Sequence, residues 1–293
     1  MSEKAPHPGE APDPRVIPDQ IEYWNREGGP HWTRRQQSWD VTMKPISDAT
    51  LIRAAVEPGE RVIDIGCGCG ATSLELAGLV GPQGQVLGID VSKPMLDRAK
   101  ERGAGNPVLS FAEADATTYP FERNAADLLF SRHGVMFFPD PERAFGNLRG
   151  ALKSSGRVAF SCFRTPKENA LFTVNLAAVT EFVPPLPKMN PEDPGPFAFA
   201  DPERVKRILG NAGFTSIALE PVDLQLDVGS GKGMDEAVVN SLEIGPASRA
   251  LKDAPAETRA KAEASIRAAL TPLQKDGKVL LGAGIWVVTA RAG

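Results

Sequence analysis

The segment Val62-Ile63-Asp64-Ile65-Gly66-Cys67-Gly68-Cys69-Gly70 reads as a buried strand that ends in a carboxylate and then turns through alternate glycines. Glycine adopts φ values that other residues avoid and lets the backbone approach a ligand closely. A helix expected from Ala71 would present unpaired N–H groups at its start. Asp90 ends the next apolar run, 20 residues past Gly70. A carboxylate there can accept both hydroxyl hydrogens of a ribose. This chemistry is that of an adenosine-bearing cofactor, without deciding which one. Gly66, Gly68 and Ala71 also satisfy the Gly-x-Gly-x-x-Ala form of a dinucleotide fingerprint, so an NAD(P)-dependent oxidoreductase is the rival. Three features weigh against that rival. Asp64 could hold a ligand's ammonium group and would repel a pyrophosphate. Asp115, between Ala114 and Ala116, suits an adenine amino group. A late strand, a helical stretch and a final strand suggest a hairpin closing the sheet edge.

His133 follows the fourth expected strand, where this kind of sheet places its active-site mouth. An unperturbed pKa near 6.5 would suit a general base; the plainer role is to line the pocket or pack. His31 has a weaker claim of the same kind. Cys67, Cys69 and Cys162 are the three cysteines. They lack the four ligands and spacing of structural zinc, so no metal is expected, and Cys67 and Cys69 read as small residues fitting a tight turn. Trp24, Trp32 and Trp39 form a lid over the cofactor or simply pack the N-terminal segment on the core. Phe137, Phe138, Phe172, Phe182, Phe197, Phe199 and Trp286 are candidates for an apolar substrate pocket, although several must be core. Of these, Phe137, Phe172, Phe197 and Trp286 are taken as the substrate wall.

These residues need a scaffold. Short apolar runs at 61–65, 85–89, 108–112, 126–131 and 157–162 alternate with helical stretches at 71–79, 94–102 and 141–152. Such alternation implies a parallel sheet covered by helices on both faces. Two later strands, 214–226 and 282–290, bring the sheet to seven, with the last strand antiparallel. The fold class is α/β: a doubly wound, mostly parallel, Rossmann-like sheet plus a helical cap. By composition, residues 1–18 are a disordered tail and 19–44 a lid segment. The cofactor-binding core covers 45–165, beginning with a helix from Pro45 to Val56. A Pro-rich cap insertion spans 166–200, and its proline-dense part from Pro184 to Pro202 reads as extended chain. Core resumes over 201–228, with Asp201 capping a helix that Pro202 begins. A cap of two helices occupies 229–277, and 278–293 holds the final core strand.

Four ordered motifs resemble those of class I S-adenosylmethionine (SAM)-dependent methyltransferases: Asp64-x-Gly66-x-Gly68-x-Gly70, Gly88-Ile89-Asp90-Val91-Ser92, Glu113-Ala114-Asp115-Ala116 and Asp127-Leu128-Leu129-Phe130-Ser131. The resemblance covers about 45–164. Trp24-Asn25, the 32–40 stretch and Phe137-Phe138 before Asp140-Pro141 resemble bacterial members acting on small molecules, the ubiquinone-biosynthesis-like group. The resemblance implies that Asp64, Gly66, Cys67, Gly68 and Gly70 hold the methionine end of SAM and Asp90 the ribose. Asp115 and Ala116 would hold the adenine, with Val91 and Met95 packed on its ring. Backbone around Ser131 would face the methionine amino group, and Trp32 would add to the cofactor site from the lid. The reaction implied is methyl transfer to a small, hydrophobic or aromatic acceptor; a non-catalytic SAM-binding protein is the other alternative.

The bulk numbers agree. The 293 residues are 42% hydrophobic and 24% charged, with a formal net charge of −4, an ordinary globular mix. Lys and Arg are scattered, which disfavours a nucleic-acid partner. No run approaches the roughly 20 apolar residues that span a bilayer, so no membrane partner is expected. The few cysteines fit a reducing cytoplasm, and a homodimer is compatible with these features.

Overall fold

The computed structural model describes residues 19–188, 190–243 and 245–293; the expected tail at 1–18 lies outside the described residues. Three helices open the described chain: α1 (Gln20–Arg26), α2 (Gly28–Arg34) and α3 (Gln36–Ala54). The alternating core follows as β1 (Arg61–Ile65), α4 (Ala71–Val80), β2 (Gln85–Asp90), α5 (Lys93–Arg102), β3 (Leu109–Glu113), β4 (Ala126–Arg132), α6 (Pro141–Ala151) and β5 (Leu152–Phe163). Then come α7 (Ala170–Val179), α8 (Pro202–Asn211), β6 (Thr215–Asp227), α9 (Met234–Glu243), α10 (Pro246–Ala250), α11 (Ala256–Leu270), β7 (Gln274–Lys275) and β8 (Lys278–Arg291).

The main path of the sheet runs β3-β2-β1-β4-β5-β8-β6, with the two-residue β7 paired to β8. Pairings from β3 to β5 are parallel. β8 is antiparallel to both β5 and β6, so it enters between them and leaves β6 outermost. The order reverses beside β1, where β2 and β4 flank it; such a switch point opens a crevice at the carboxyl ends of the strands. Apolar cores lie on both faces. Val62, Leu76, Val80, Leu128 and Phe130 form one, and Phe145, Phe160, Leu148, Ile208 and Leu209 belong to the other. This two-sided cover explains why the central strands read as unbroken apolar runs. Among the described residues no helix is long and apolar enough to cross a membrane.

Two expectations are corrected. The helix expected to start at Pro45 starts at Gln36 and carries Pro45 inside it. Proline removes only one intrahelical donor, and burial of Trp39, Met43 and Ile46 along one side keeps the helix together. The first part of the 166–200 insertion holds α7, ahead of its proline-dense stretch. The last cap contains three helices, α9, α10 and α11, in place of two. The cap on α8 forms as expected: Asp201 accepts from the backbone N–H of Glu203, with Pro202 in the first turn.

Candidate active site

The glycine turn after β1 is held from three sides. Gly66, at φ 64°, lies so close to Gly134 that a Cβ on Gly66 would come within 2.6 Å of the Gly134 Cα. Any side chain at either position would drive the two backbones apart. The Ser131 hydroxyl reinforces this contact, donating to the Ile65 carbonyl at 2.7 Å and accepting from the Gly134 N–H at 3.1 Å. At the next strand, Asp90 accepts from the Gly68 N–H and the Ser92 N–H, both at 2.8 Å. Burial raises the Asp90 pKa against the opposing effect of these amides. Each of its oxygens keeps a lone pair for a ligand hydroxyl.

Over this turn lies a cavity of about 370 Å³, within the usual range for ligand sites. Of the sequence-predicted residues, Gly66, Cys67, Gly68, Asp90, Val91, Met95, Asp115, Ala116 and Trp32 line it, as do His133, Phe137, Phe172 and Phe197. Trp24, Trp39 and Phe138 line it too. Asp115 also closes its own loop, accepting from the Thr117 N–H at 2.8 Å.

Five predicted residues stand elsewhere. Asp64 is fully buried beneath the turn, where one carboxylate oxygen accepts from the hydroxyls of Thr72 at 2.8 Å and Ser73 at 2.6 Å. Its other oxygen has no partner, and burial lifts its pKa to about 6. Its evident role is to tie β1 to the first turn of α4. Gly70 turns its α-carbon toward Ala99 of α5, where a Cβ would meet that side chain at 3.0 Å. Ser131 is the buried clasp described above. Trp286 points to the other side of β8: its indole N–H donates to the Ala200 carbonyl at 3.0 Å, and Arg164 stacks over its ring. His31 lies in α2 away from the cavity wall. Two further pocket candidates also stand elsewhere: Phe199 is core, 1% exposed, and Phe182 packs against the same core.

His133 is reached as expected but differs electrostatically. Its backbone sits at φ 65°, a region where histidine is enriched among non-glycine residues. Its ring stacks on Phe163 at 4.0 Å between centroids. Burial, aided by the Arg132 charge, pushes its pKa down to about 3. The imidazole is therefore neutral and weakly basic, which does not suit the general base expected from an unperturbed value.

The N-terminal helices form the roof. The Asn25 carboxamide donates to the Val91 carbonyl at 2.8 Å and accepts from the Lys93 N–H at 2.9 Å. The Ser92 hydroxyl donates to the Trp24 carbonyl at 2.7 Å. Trp24 meets Phe137 edge-on at 5.1 Å, and Trp32 lies 5.1 Å from Trp39. Farther along, Arg35 pairs with Glu236 at 2.7 Å and donates to Asn240 at 2.8 Å, joining the roof to α9.

Arg132 and Asn175 line the same cavity and escaped the sequence reading. Arg132 was legible by the argument that selected its neighbour His133, since both end β4. Its guanidinium donates to the Ser47 hydroxyl at 3.0 Å. Burial lowers its pKa, against the charges of Asp40, Asp64 and Glu75. Asn175 offers only a faint signal, one carboxamide in the apolar run of α7. Among the described residues, four on this wall carry a buried polar atom without a hydrogen-bond partner: Gln20 Oε1, Trp39 Nε1, His133 Nε2 and Asn175 Oδ1. Such atoms are costly unless a ligand completes them.

Comparison with known proteins fits this arrangement. Residues 63–160 match the methyltransferase domain family. The chain is 33% identical to a 2-phytyl-1,4-naphtoquinone methyltransferase of Trichormus variabilis over 133 residues, 44% of this chain and 58% of that protein. It is 40% identical to aklanonic acid methyltransferase DauC of Streptomyces sp. strain C5 over 107 residues, 35% of this chain and 48% of that one. The match thus spans only about half the length of these two relatives. With demethylmenaquinone methyltransferase of Staphylococcus aureus it is 31% identical over 172 residues, 55% of this chain and 70% of the relative. Among solved structures, YcgJ of Bacillus shares the fold at a TM-score of 0.54 and 17% identity, over 84% of this chain and 97% of that one. Phosphoethanolamine N-methyltransferase 2 of Haemonchus contortus, solved with S-adenosylhomocysteine, does so at 0.51 and 20% identity, over 84% and 52%. The matched spans coincide with the four motifs around the cavity, and on that ground the chain belongs to the class I SAM-dependent methyltransferases, in the ubiquinone-biosynthesis-like group.

Proposed function

We propose that this protein transfers the methyl group of SAM to a small, apolar acceptor. The observation that carries the reading is one continuous cavity. It joins Asp90 and Asp115, past the glycine turn, to a wall of Phe163, Phe172 and Phe197. When bound, SAM supplies a methyl carbon on a positively charged sulfur, open to direct displacement.

The chain's own residues fit that cofactor. Asp90 accepts the ribose hydroxyl hydrogens, and Asp115 with Ala116 takes the adenine edge between Val91 and Met95. Arg132, beside the turn and without a carboxylate partner among the described residues, holds the methionine carboxylate. The tryptophan roof excludes water, and the cavity walls align the reacting atoms, a positional contribution to rate. The names of the three relatives, two for quinones and one for aklanonic acid, support a small-molecule acceptor over nucleic acid or protein. The three cysteines are free and buried, which supports a reducing, cytoplasmic setting. Calorimetric titration tests the reading. S-adenosylhomocysteine should bind at micromolar concentration and NAD should not; the reverse result would exchange the methyltransferase for an oxidoreductase.

A further inference from the structure

Beyond the glycine turn the cavity ends in a compact aromatic group. The His133 ring lies 4.0 Å from that of Phe163, which meets Phe172 edge-on at 4.9 Å. Phe172 in turn meets Phe197 at 5.1 Å. On α7, Asn175 follows Phe172 by three residues and Leu171 by four, so all three share one face of the helix, and all three line the cavity. Asn175 is 7% exposed.

Two polar atoms in this wall are buried and unpartnered: Oδ1 of Asn175 and Nε2 of His133. A polar atom stripped of water and given no partner carries a desolvation cost that a well-matched ligand removes. No charged side chain belongs to this group, and the imidazole is neutral. An ammonium placed here would lack a counter-charge, and Arg132, the cation beside His133, is already assigned to the methionine carboxylate, whereas a flat apolar ring would pack edge and face against the phenylalanines. The carboxamide oxygen requires a donor. The imidazole nitrogen, when it carries the ring's single proton, requires an acceptor. A hydroxyl serves both, donating to one and accepting from the other.

We propose that this group is the acceptor subsite and that it selects a neutral arene bearing a free hydroxyl, read by Asn175 Oδ1 and His133 Nε2. The proposal rests on the methyltransferase reading and adds a substrate class and two specificity-determining residues to it. His133 is here a positioning partner of the hydroxyl and not its base. A site built to pair a hydroxyl discriminates strongly against an analogue that lacks it, because its own polar atoms are then left bare.

The test uses 1-naphthol, its methyl ether and naphthalene, titrated by calorimetry into the full chain with and without saturating S-adenosylhomocysteine. 1-Naphthol should bind about tenfold or more tightly than the other two, the worth of one well-made hydrogen bond. Asn175→Leu, close in shape, should reduce that preference to about twofold while leaving the affinity for S-adenosylhomocysteine within about twofold. His133→Phe should lower the preference in the same direction. Retained S-adenosylhomocysteine binding shows that each variant is folded. Equal binding of all three arenes by the natural protein would overturn the proposal, as would an undiminished preference in folded Asn175→Leu. A preference for naphthol without any binding of S-adenosylhomocysteine would uphold the subsite and sink the cofactor reading.

Discussion

Asp64 and Arg132 show how burial sets the role of a single charge. Asp64 lies under the turn with a pKa near 6, against 3.8 for a free carboxyl, chiefly from desolvation. Between those two values the native state binds more protons than the unfolded chain, so this group makes stability fall as pH rises through that window. Above about pH 6 the cost of the buried charge is present in full. Asp64→Asn keeps the shape and the partners Thr72 and Ser73. Its Tm should match the natural protein near pH 4 and exceed it by a few degrees at pH 7.5. A Tm gap unchanged across that range would refute the assignment. Arg132 has the opposite character, a cation facing the cavity. Arg132→Met should weaken S-adenosylhomocysteine by roughly 10- to 100-fold, the scale of a charge-assisted hydrogen bond. Binding of 5′-methylthioadenosine, which lacks the amino-acid tail, should change by less than about twofold. Equal losses for the two ligands would remove Arg132 from the carboxylate site.

At the scale of elements, the site depends on how the roof is fastened. α1 is capped by Asp19, which accepts from the Ile21 and Glu22 N–H groups, and is pinned to the loop after β2 by both ends of the Asn25 carboxamide. Those two bonds hold Trp24 against Phe137 and fix the loop that carries Val91. Asn25→Leu removes both bonds while keeping the size of the side chain. At about 1 kcal/mol each, their loss should raise the Kd for S-adenosylhomocysteine by up to about 30-fold and hasten proteolytic cleavage within α1 and α2. Unchanged affinity and cleavage would mean that the aromatic contacts alone hold the roof.

At the scale of the whole molecule, three separate stretches converge on one cavity: the N-terminal helices, α7 with the chain to Phe197, and α9 with α10. Ion pairs span them, Arg35 to Glu236 and Lys252 to Glu27, both at about 2.8 Å or less. A ligand in that cavity bridges parts of the chain far apart in sequence and binds only the folded state. S-adenosylhomocysteine at 100 times its Kd should therefore add about 2.7 kcal/mol of stability. The unfolding transition should move up by several degrees as one cooperative step, read by calorimetric scanning. A split into two transitions would show that the roof unfolds separately from the sheet.

The sequence by itself determined the sheet and the end of the cavity that borders the glycine turn. Strand-end carboxylates, alternate glycines and apolar runs are local signals, and a buried parallel strand leaves little freedom in how they are arranged. So Asp90, Asp115 and the glycines Gly66 and Gly68 were legible as residues that line one cavity. Tertiary structure decided what depends on direction and distance. Asp64 has a side chain suited to a ligand, yet packing turns it inward as a clasp. Trp286 sits on a strand whose two faces meet different partners, and alternation alone does not say which face borders the cavity. His133 has the right position, but its basicity follows from burial and a neighbouring charge that spacing does not reveal. Asn175 gains its meaning only when α7 folds over the sheet, because an unpartnered polar atom exists only once its surroundings have closed around it.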